Sequence, residues 1–303
     1  MDVDDIDVAL INQLQADGRV TFDALARGVG LSRTATRARV QRLVDAGALR
    51  FTGVVHPFVY GRRVQGLVGI EASRPAINIA EKIASLEEAP LVSLVSGRFS
   101  VIAELWSPTM DTFAASIESI RALEGARSLE TAIYTTLVKD PYSPPGEPRL
   151  LELDDLDQQI LVALQRDGRS SFADLAESLS LSPGAVRARV LRLTAHGVVH
   201  VRGLVNPTVL GLTQACSFAL WVTQPVDSVS RMITALPQVL ALATAMGRCD
   251  VIGTIVAATR TEILETLDRI RQLAGISRLE SWTHLTVLKE NYEPSPLANA
   301  ASS

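Results

Sequence analysis

Apolar residues recur at helical spacing along the first part of the chain. From Asp5 to about Gly47 they lie three and four positions apart, which is the spacing of one buried helix face. Thr21 and Ser32 precede two of these apolar segments and are typical helix N-caps. The pattern therefore predicts three short helices with tight joints. The next segment, ALRFTGVVHP (48–57), alternates in polarity and predicts a pair of strands.

From about residue 64 the pattern changes to that of a mixed α and β module. The predicted elements are, in order, a strand (64–72), a helix (76–88), a strand (91–97), a strand (100–106), a helix (109–123) and a strand (127–138). This βαββαβ order is typical of the ferredoxin-like arrangement, in which two helices cover one face of a four-stranded antiparallel sheet. The other face is rich in Val, Ile, Leu and Ala, so we expect a second sheet to cover it.

The whole pattern occurs twice. DIDVALINQLQADGR (5–19) aligns without a gap with DLDQQILVALQRDGR (155–169), and IRALEGARSLE (120–130) aligns with IRQLAGISRLE (270–280). The chain is therefore a duplicated unit, and the predicted fold class is α+β with two tandem units. We expect a three-helix domain at 1–62, a βαββαβ module at 63–141, a stiff linker at 142–151, a second three-helix domain at 152–212, a second βαββαβ module at 213–292 and a flexible tail at 293–303.

Composition narrows the classes of protein. A net charge of −4 argues against a protein that coats nucleic acid generally, but it leaves room for a local basic patch. The acidic opening MDVDDID is unlike a secretory leader, and the apolar runs are too short to span a bilayer, so we expect a cytoplasmic protein. Cys216 and Cys249 lie in no metal-binding or redox motif and are interpreted as small buried apolar residues. We expect no metal and no cofactor.

The third predicted helix of the first copy carries a basic outward face. Placing Thr36, Val40 and Leu43 inward turns the opposite side of the helix to solvent. Residues 33–50 contain five arginines and a single acid. Such a helix is typical of the major-groove reader of a helix-turn-helix protein. Ser32 and the arginines, Arg39 and Arg42 among them, would contact phosphates, and the side chains expected at base edges are those of Arg33, Thr34, Arg37 and Gln41. The alternative is a plain three-helix bundle whose arginines form a solvated face.

The second copy keeps the arginines of this helix but changes the other outward residues. Arg187, Arg189 and Arg192 persist after the N-cap Ser182, whereas the outward face becomes Gly184, Arg187, Ala188 and Leu191, with Pro183 at the start. The hydrogen-bonding side chains of the first copy have no counterpart here. We therefore predict that the second helix reads a different sequence or binds DNA weakly.

Several motifs of the chain together resemble the Lrp/AsnC family of bacterial and archaeal regulators. They are IDVALINQLQADGR and LDQQILVALQRDGR, LSRTATRARV and LSPGAVRARV, and HPFVYG and NPTVLG, once in each copy. The resemblance implies a winged or plain helix-turn-helix domain joined to a βαββαβ effector module. It also implies that these modules pair sheet to sheet and bind a small molecule, typically an amino acid, at their interface.

The family's GxxD turn, between the second and third strands of the effector module, belongs to that ligand pocket. It stands as Gly247 and Asp250 in the second copy but as Gly97 and Ser100 in the first. A carboxylate at this position could hold an ammonium group, which serine could not. The resemblance thus implies that the second copy keeps an effector contact. The alternative is a tight turn that needs glycine and a capping side chain.

The duplication also bears on assembly and function. Two effector modules on one chain could pair with each other as a built-in pseudo-dimer, and family members often assemble further into homo-oligomers. We expect a transcriptional regulator that binds double-stranded DNA and a small effector, with no enzymatic activity. The alternatives are an enzyme similar to the sirohaem decarboxylases, which resemble this family, and a ligand-sensing scaffold with impaired DNA binding.

Overall fold

The computed structural model describes residues 3–144, 146, 148–149 and 151–292. The tail predicted at 293–303 lies outside the described residues. The first copy contains α1 (Asp5–Ala16), α2 (Phe22–Val29), α3 (Arg33–Asp45), β1 (Leu49–Val55), a short 3-10 helix (Pro57–Tyr60), β2 (Val64–Ala72), α4 (Ala76–Ala84), β3 (Leu91–Ser96), β4 (Val101–Ser107), α5 (Met110–Arg121) and β5 (Ala126–Lys139).

The second copy repeats this order without the 3-10 helix. It contains α6 (Asp155–Arg166), α7 (Phe172–Leu179), α8 (Pro183–Ala195), β6 (Val199–Val205), β7 (Gln214–Val222), α9 (Val226–Thr234), β8 (Val239–Gly247), β9 (Val251–Ala257), α10 (Arg260–Arg271) and β10 (Ile276–Glu290). The tandem α+β organisation is confirmed. The copies do not, however, form separate bodies. The helical parts of both copies make one compact unit (described residues of 1–56 and 141–212), and the sheet-bearing parts make another (those of 57–140 and 213–303).

In the helical unit, the predicted inward face of α3 is confirmed. Thr36, Val40 and Leu43 are buried, and the two apolar residues pack with Leu10 and Leu14 of α1. The prediction of a strand pair within residues 48–57 is wrong. Only one strand forms there, and β1 pairs antiparallel with β6 of the other copy, with Leu49 opposite Val205. Each strand thus obtains its backbone partners from the other copy.

The DGR segments of the two copies hold this pairing together. The Gly18 amide donates to the Val201 carbonyl (2.8 Å), and the Gly168 amide donates to the Phe51 carbonyl (3.1 Å). The Arg169 guanidinium lies 3.8 Å from the centre of the Phe51 ring. Because these contacts run in both directions, each helix-turn-helix domain depends on a strand of the other.

In the sheet-bearing unit, the predicted covering of each apolar sheet face by a second sheet is confirmed. The two four-stranded sheets also join at both edges, which the sequence did not predict, through β5 with β8 and through β10 with β3. The result is a closed eight-stranded barrel with the order β10-β3-β4-β2-β5-β8-β9-β7. Closure removes exposed strand edges. The interior of the barrel is lined by Leu67, Val95, Phe99, Ile102, Ala132, Ala219, Ala243, Cys249, Ile252 and Trp282.

The helices of this unit lie on the outer faces of the sheets. Ile79 and Ile83 of α4 and Phe113 of α5 join the core beneath the first sheet, and Val229 of α9 and Leu267 of α10 join the core beneath the second. Both cysteines are buried, as expected. In the part of the chain that the structure describes, no helix has the length and apolar character that a membrane crossing requires.

Candidate functional site

The turn between the second and third helices is built by small residues and caps in both copies. Gly30 ends α2 in the left-handed conformation (φ 69°), and the Ser32 hydroxyl caps α3 by accepting from the Ala35 amide (3.2 Å). In the second copy Ser180 takes the left-handed position (φ 54°), and Ser182 caps α8 in the same way. The helix-turn-helix geometry therefore recurs although the turn sequences differ. Both serine hydroxyls keep a hydrogen that could donate to a phosphate.

The outward face of α3 is open to solvent, as a DNA reader requires. Arg33, Thr34, Arg37 and Gln41 are exposed. Arg37 makes no hydrogen bond or ion pair with any described residue. Arg33 makes a loose, exposed ion pair with Asp23 (3.6 Å), and the Gln41 amide donates to Asp45 (2.8 Å). All four side chains are open to solvent, and their predicted contacts with DNA stay predictions.

Two arginines that were predicted to contact phosphates, Arg39 and Arg42, form ion pairs within the chain. The Arg39 guanidinium donates to Asp4 (2.7 Å) and to Asp7 (3.0 Å), and Arg42 binds the other oxygen of Asp7. The Asp7 side chain is only 1% exposed. Asp4 and Asp7 also cap the start of α1, and the Asp7 amide together with Arg39 lowers the pKa of Asp4. These arginines tie α3 to α1, so any phosphate contact they make competes with that role.

In the second copy the same ion pairs join α8 to α6, but the outward face of α8 differs from that of α3. Arg189 donates to Asp154 (2.8 Å) and Asp157 (2.8 Å), and Arg192 binds Asp157. Arg187 is exposed and, like its counterpart, has no partner among the described residues. Leu191 stands where the first copy has glutamine and is 51% exposed. The shared arginines therefore preserve the fold, and the two outward faces differ in hydrogen-bonding capacity.

The predicted effector residues occupy two equivalent turns of the barrel. Gly97 (φ 120°) and Gly247 (φ 109°) have backbone conformations that favour glycine. The Asp250 carboxylate accepts from the Val222 amide (2.8 Å), and the Ser100 hydroxyl accepts from the Ala72 amide (3.3 Å). Each side chain thus caps the end of a neighbouring strand. An effector contact by these residues stays a prediction.

A charged cluster that sequence reasoning missed lies beside these turns. The Arg248 side chain is 4% exposed, donates to Glu130 (2.9 Å) and Glu280 (2.5 Å), and lies 4.8 Å from the centre of the Phe99 ring. Its counterpart Arg98 is 47% exposed and also binds Glu130. The cluster joins the two copies across the barrel seam. The duplicated GR pair at 97–98 and 247–248 was the available signal, but it could not show which arginine is buried.

A second polar cluster lies inside the barrel and was also missed. The Tyr134 hydroxyl donates to Glu104 (2.9 Å), and burial raises the pKa of Glu104 to about 7. The equivalent position of Tyr134 in the second copy is His284. Its ring nitrogens bond to Ser217 (2.8 Å) and Ser93 (2.9 Å), and burial lowers its pKa to about 4. Single polar residues within apolar strands gave only a weak signal of this cluster.

Comparison with known proteins identifies both helical segments. The model of the AsnC-type helix-turn-helix domain matches residues 3–44 and 153–194. The leucine-responsive regulatory protein of Escherichia coli (strain K12) is 31% identical over 144 residues, which is 46% of this chain and 88% of that protein. An HTH-type transcriptional regulator of Mycobacterium tuberculosis is 30% identical over 145 residues, 47% of this chain and 98% of that protein. Each relative therefore matches one copy.

Some solved structures match almost the whole chain. The siroheme decarboxylase NirDL in co-complex with an iron-uroporphyrin III analogue has a TM-score of 0.63 and 15% identity, with coverage of 95% of this chain and 93% of that one. At this identity the likeness establishes the shared fold alone. The tandem arrangement of two helix-turn-helix domains and two βαββαβ modules is thus a known architecture.

Proposed function

Because the chain belongs to the Lrp/AsnC family, we propose that it is a sequence-specific DNA-binding transcriptional regulator with a small-molecule effector, most simply an amino acid. The observation that carries the proposal is the open face of α3, where Arg37 is exposed and makes no hydrogen bond or ion pair with any described residue. A guanidinium held on a braced helix suits a bidentate contact with a guanine edge. We further propose that the protein is not an enzyme.

The two unlike readers suit an asymmetric operator. The α3 face offers Arg37 and Gln41, whereas the α8 face offers Arg187 and the apolar Leu191, which suits a thymine methyl group better than a polar base edge. Both helix-turn-helix domains lie in one compact unit, so one chain presents both readers. We infer that the α8 half-site is the weaker one or has a different sequence.

DNA binding by the full chain tests this proposal. We expect the protein to bind the DNA upstream of its own gene more tightly than random DNA, with affinity falling steeply as salt rises, at a log–log slope near −0.9 for each phosphate contacted. Arg37→Ala should weaken specific binding more than Arg187→Ala. Equal losses in the two variants would contradict unlike half-sites. Indifference to every duplex at low ionic strength would contradict the regulator itself.

An enzyme acting on a tetrapyrrole is the second candidate, favoured by the full-length fold match to a siroheme decarboxylase. Against it, the sheet-bearing unit has one histidine, His284, and both of its ring nitrogens already bond to serine hydroxyls. An axial iron ligand needs a free nitrogen. An absorbance titration of the protein with sirohaem distinguishes the candidates, because a bound tetrapyrrole shifts its strong visible band whereas a regulator leaves it unchanged.

A further inference from the structure

One end of the barrel interior contains two buried donors without partners. Leu67 of β2 and Ile102 of β4 face the interior, so Gln65, two residues before Leu67, and Trp106, four residues after Ile102, face it too. Gln65 is 6% exposed and Trp106 4%. Gln65 Nε2 and Trp106 Nε1 have no hydrogen-bond partner among the described residues. A buried donor without a partner destabilises the protein, so two such donors side by side indicate that an acceptor binds there.

The two donors lie beside each other and beside an acidic group. Gln65 is directly opposite Trp106 in the β2–β4 pairing, and Leu67 is opposite Glu104. Glu104 faces the same interior, where it accepts from Tyr134 and Tyr292. A carboxylate has about four acceptor positions, so these two phenols leave room for another donor. This end therefore combines two N–H donors with a carboxyl group.

A guanidinium and a small side chain also lie at this end of the barrel. The Arg62 guanidinium lies 5.7 Å from the centre of the Trp106 ring and adds positive charge near the two donors. Tyr134 is paired across the β5–β8 seam with Ala245, whose side chain is small. An eight-stranded barrel has an interior that side chains fill or that holds one small ligand.

We propose that the barrel interior beside Gln65, Glu104 and Trp106 binds a small amino carboxylate. The two N–H donors receive its carboxylate, and the Glu104 carboxylate receives its ammonium group. The ligand is the effector of the proposed regulator, so this inference rests on that function for its role but not for its binding. It places the ligand in the first copy and away from the GxxD turns.

The second copy and the turns are less suitable. At the equivalent positions of the second copy stand Ala215, Thr254 and Val256, which offer neither the amide, the carboxyl nor the indole. At the turn end of the barrel, Arg248 Nη1 and Trp282 Nε1 are also buried without a described partner. There, however, Glu130 and Glu280 already balance the guanidinium, and Asp250 is bonded to the Val222 amide.

The protonation of Glu104 makes binding depend on pH. The groups that face it are Tyr134, Tyr292, Asp140 and Glu290, and burial raises its pKa to about 7. An arriving ammonium group favours the ionised carboxylate. Affinity for an amino carboxylate should therefore rise as the pH rises through 7, and binding near neutral pH should release a proton.

Isothermal titration of the full-length protein, without DNA, tests the proposal. The probes are the twenty standard amino acids one at a time, with 4-methylpentanoate and isopentylamine as leucine analogues that lack the amino group or the carboxylate. We expect at least one amino acid to bind. If that ligand is leucine, its two analogues should bind at least tenfold more weakly. Absence of binding by every amino acid would overturn the proposal.

Variants locate the site of whichever amino acid binds. Gln65→Leu and Glu104→Gln should each weaken affinity at least tenfold. Gln65→Leu removes an unpaired buried donor, so it should fold at least as well as the wild type. Thr254→Val, at the counterpart of Glu104, should stay within twofold. The opposite result, with Asp250→Asn abolishing binding and Gln65→Leu leaving it intact, would assign the ligand to the turn.

DNA binding is measured separately on the same variants. A protein that binds its upstream DNA but no amino acid would overturn this inference and leave the regulator intact. A protein that binds an amino acid through Gln65 and Glu104 but no DNA would support the site and overturn the proposed function.

Discussion

Arg42 and Asp7 form an ion pair in which the carboxylate is 1% exposed and the guanidinium half exposed. Their counterparts Arg192 and Asp157 form the same pair in the second copy. Because a buried carboxylate needs a charged partner, these arginines are required by the fold of each helical domain. The arginines of one helix therefore divide into a structural set and an outward set.

Replacing one arginine of each set by alanine should affect the stability of the protein differently. Arg42→Ala leaves the buried Asp7 with Arg39 as its remaining charged partner and should lower the free energy of unfolding by about 1–3 kcal/mol. Arg37→Ala, on the exposed face, should change it by less than about 0.5 kcal/mol. Urea denaturation measures both. A loss of stability in Arg37→Ala equal to that in Arg42→Ala would refute this division.

The DGR segments predict a second contrast, between two glycines. A Cβ on Gly18 would lie 2.7 Å from the backbone of Arg202, which belongs to the partner strand, whereas a Cβ on Gly184 would meet only the Ser182 Oγ at 4.0 Å. Gly18→Ala should therefore destabilise the protein by more than about 2 kcal/mol, because backbone must move. Gly184→Ala in α8 should stabilise it by up to about 1 kcal/mol. Thermal unfolding of both variants gives the signs, and a harmless Gly18→Ala would disprove the close approach.

The sequence predicted the elements of this fold well because each has a strong local signal. The observed β2 (Val64–Ala72) has the bounds expected from its apolar run, and Ser32 and Ser182 cap the helices whose starts they mark. The pairing of β1 with β6 had no such signal. A strand alternates in polarity whichever partner it has, so its pattern does not identify that partner.

The candidate site was predictable to a similar extent. The outward residues of α3 follow from helix periodicity, and Arg37 is exposed as expected. The ion pairs of Arg39 with Asp4 and Asp7 could not be predicted from the sequence, because they depend on how α1 crosses α3. The unpaired donors of Gln65 and Trp106 lie within the closed barrel, and barrel closure involves strands far apart in sequence.

The seam cluster predicts that equivalent arginines of the two copies differ in importance. Arg248→Met would leave Glu130 and Glu280, which are 28% and 20% exposed, without their most buried partner. It should cost about 2–4 kcal/mol of unfolding free energy. Arg98→Met, at the half-exposed counterpart, should cost less than about 1 kcal/mol. Equal costs in denaturant titrations would mean that the two arginines are equivalent.

Glu104 and His284, which are buried inside the barrel, should make the stability of the protein depend on pH in opposite directions. Burial raises the pKa of Glu104 from 4.5 to about 7, so the folded state binds more protons and stability falls as the pH rises from about 4.5 to 7. Burial lowers the pKa of His284 from 6.5 to about 4, so the folded state binds fewer protons and stability rises between about 4 and 6.5. Each effect amounts to about 1–3 kcal/mol after allowance for partial exposure.

Because the two windows overlap, the wild-type protein should show little net change in stability from these groups between about pH 4.5 and 6.5. Glu104→Gln removes the falling contribution, so the stability of that variant should rise with pH across the window. His284→Asn removes the rising contribution, so the stability of that variant should fall. Urea denaturation at pH 5, 6 and 7 measures the slopes, with the double variant as the control that should again be flat. Slopes of the same sign in the two single variants would show that these side chains do not titrate as their burial requires.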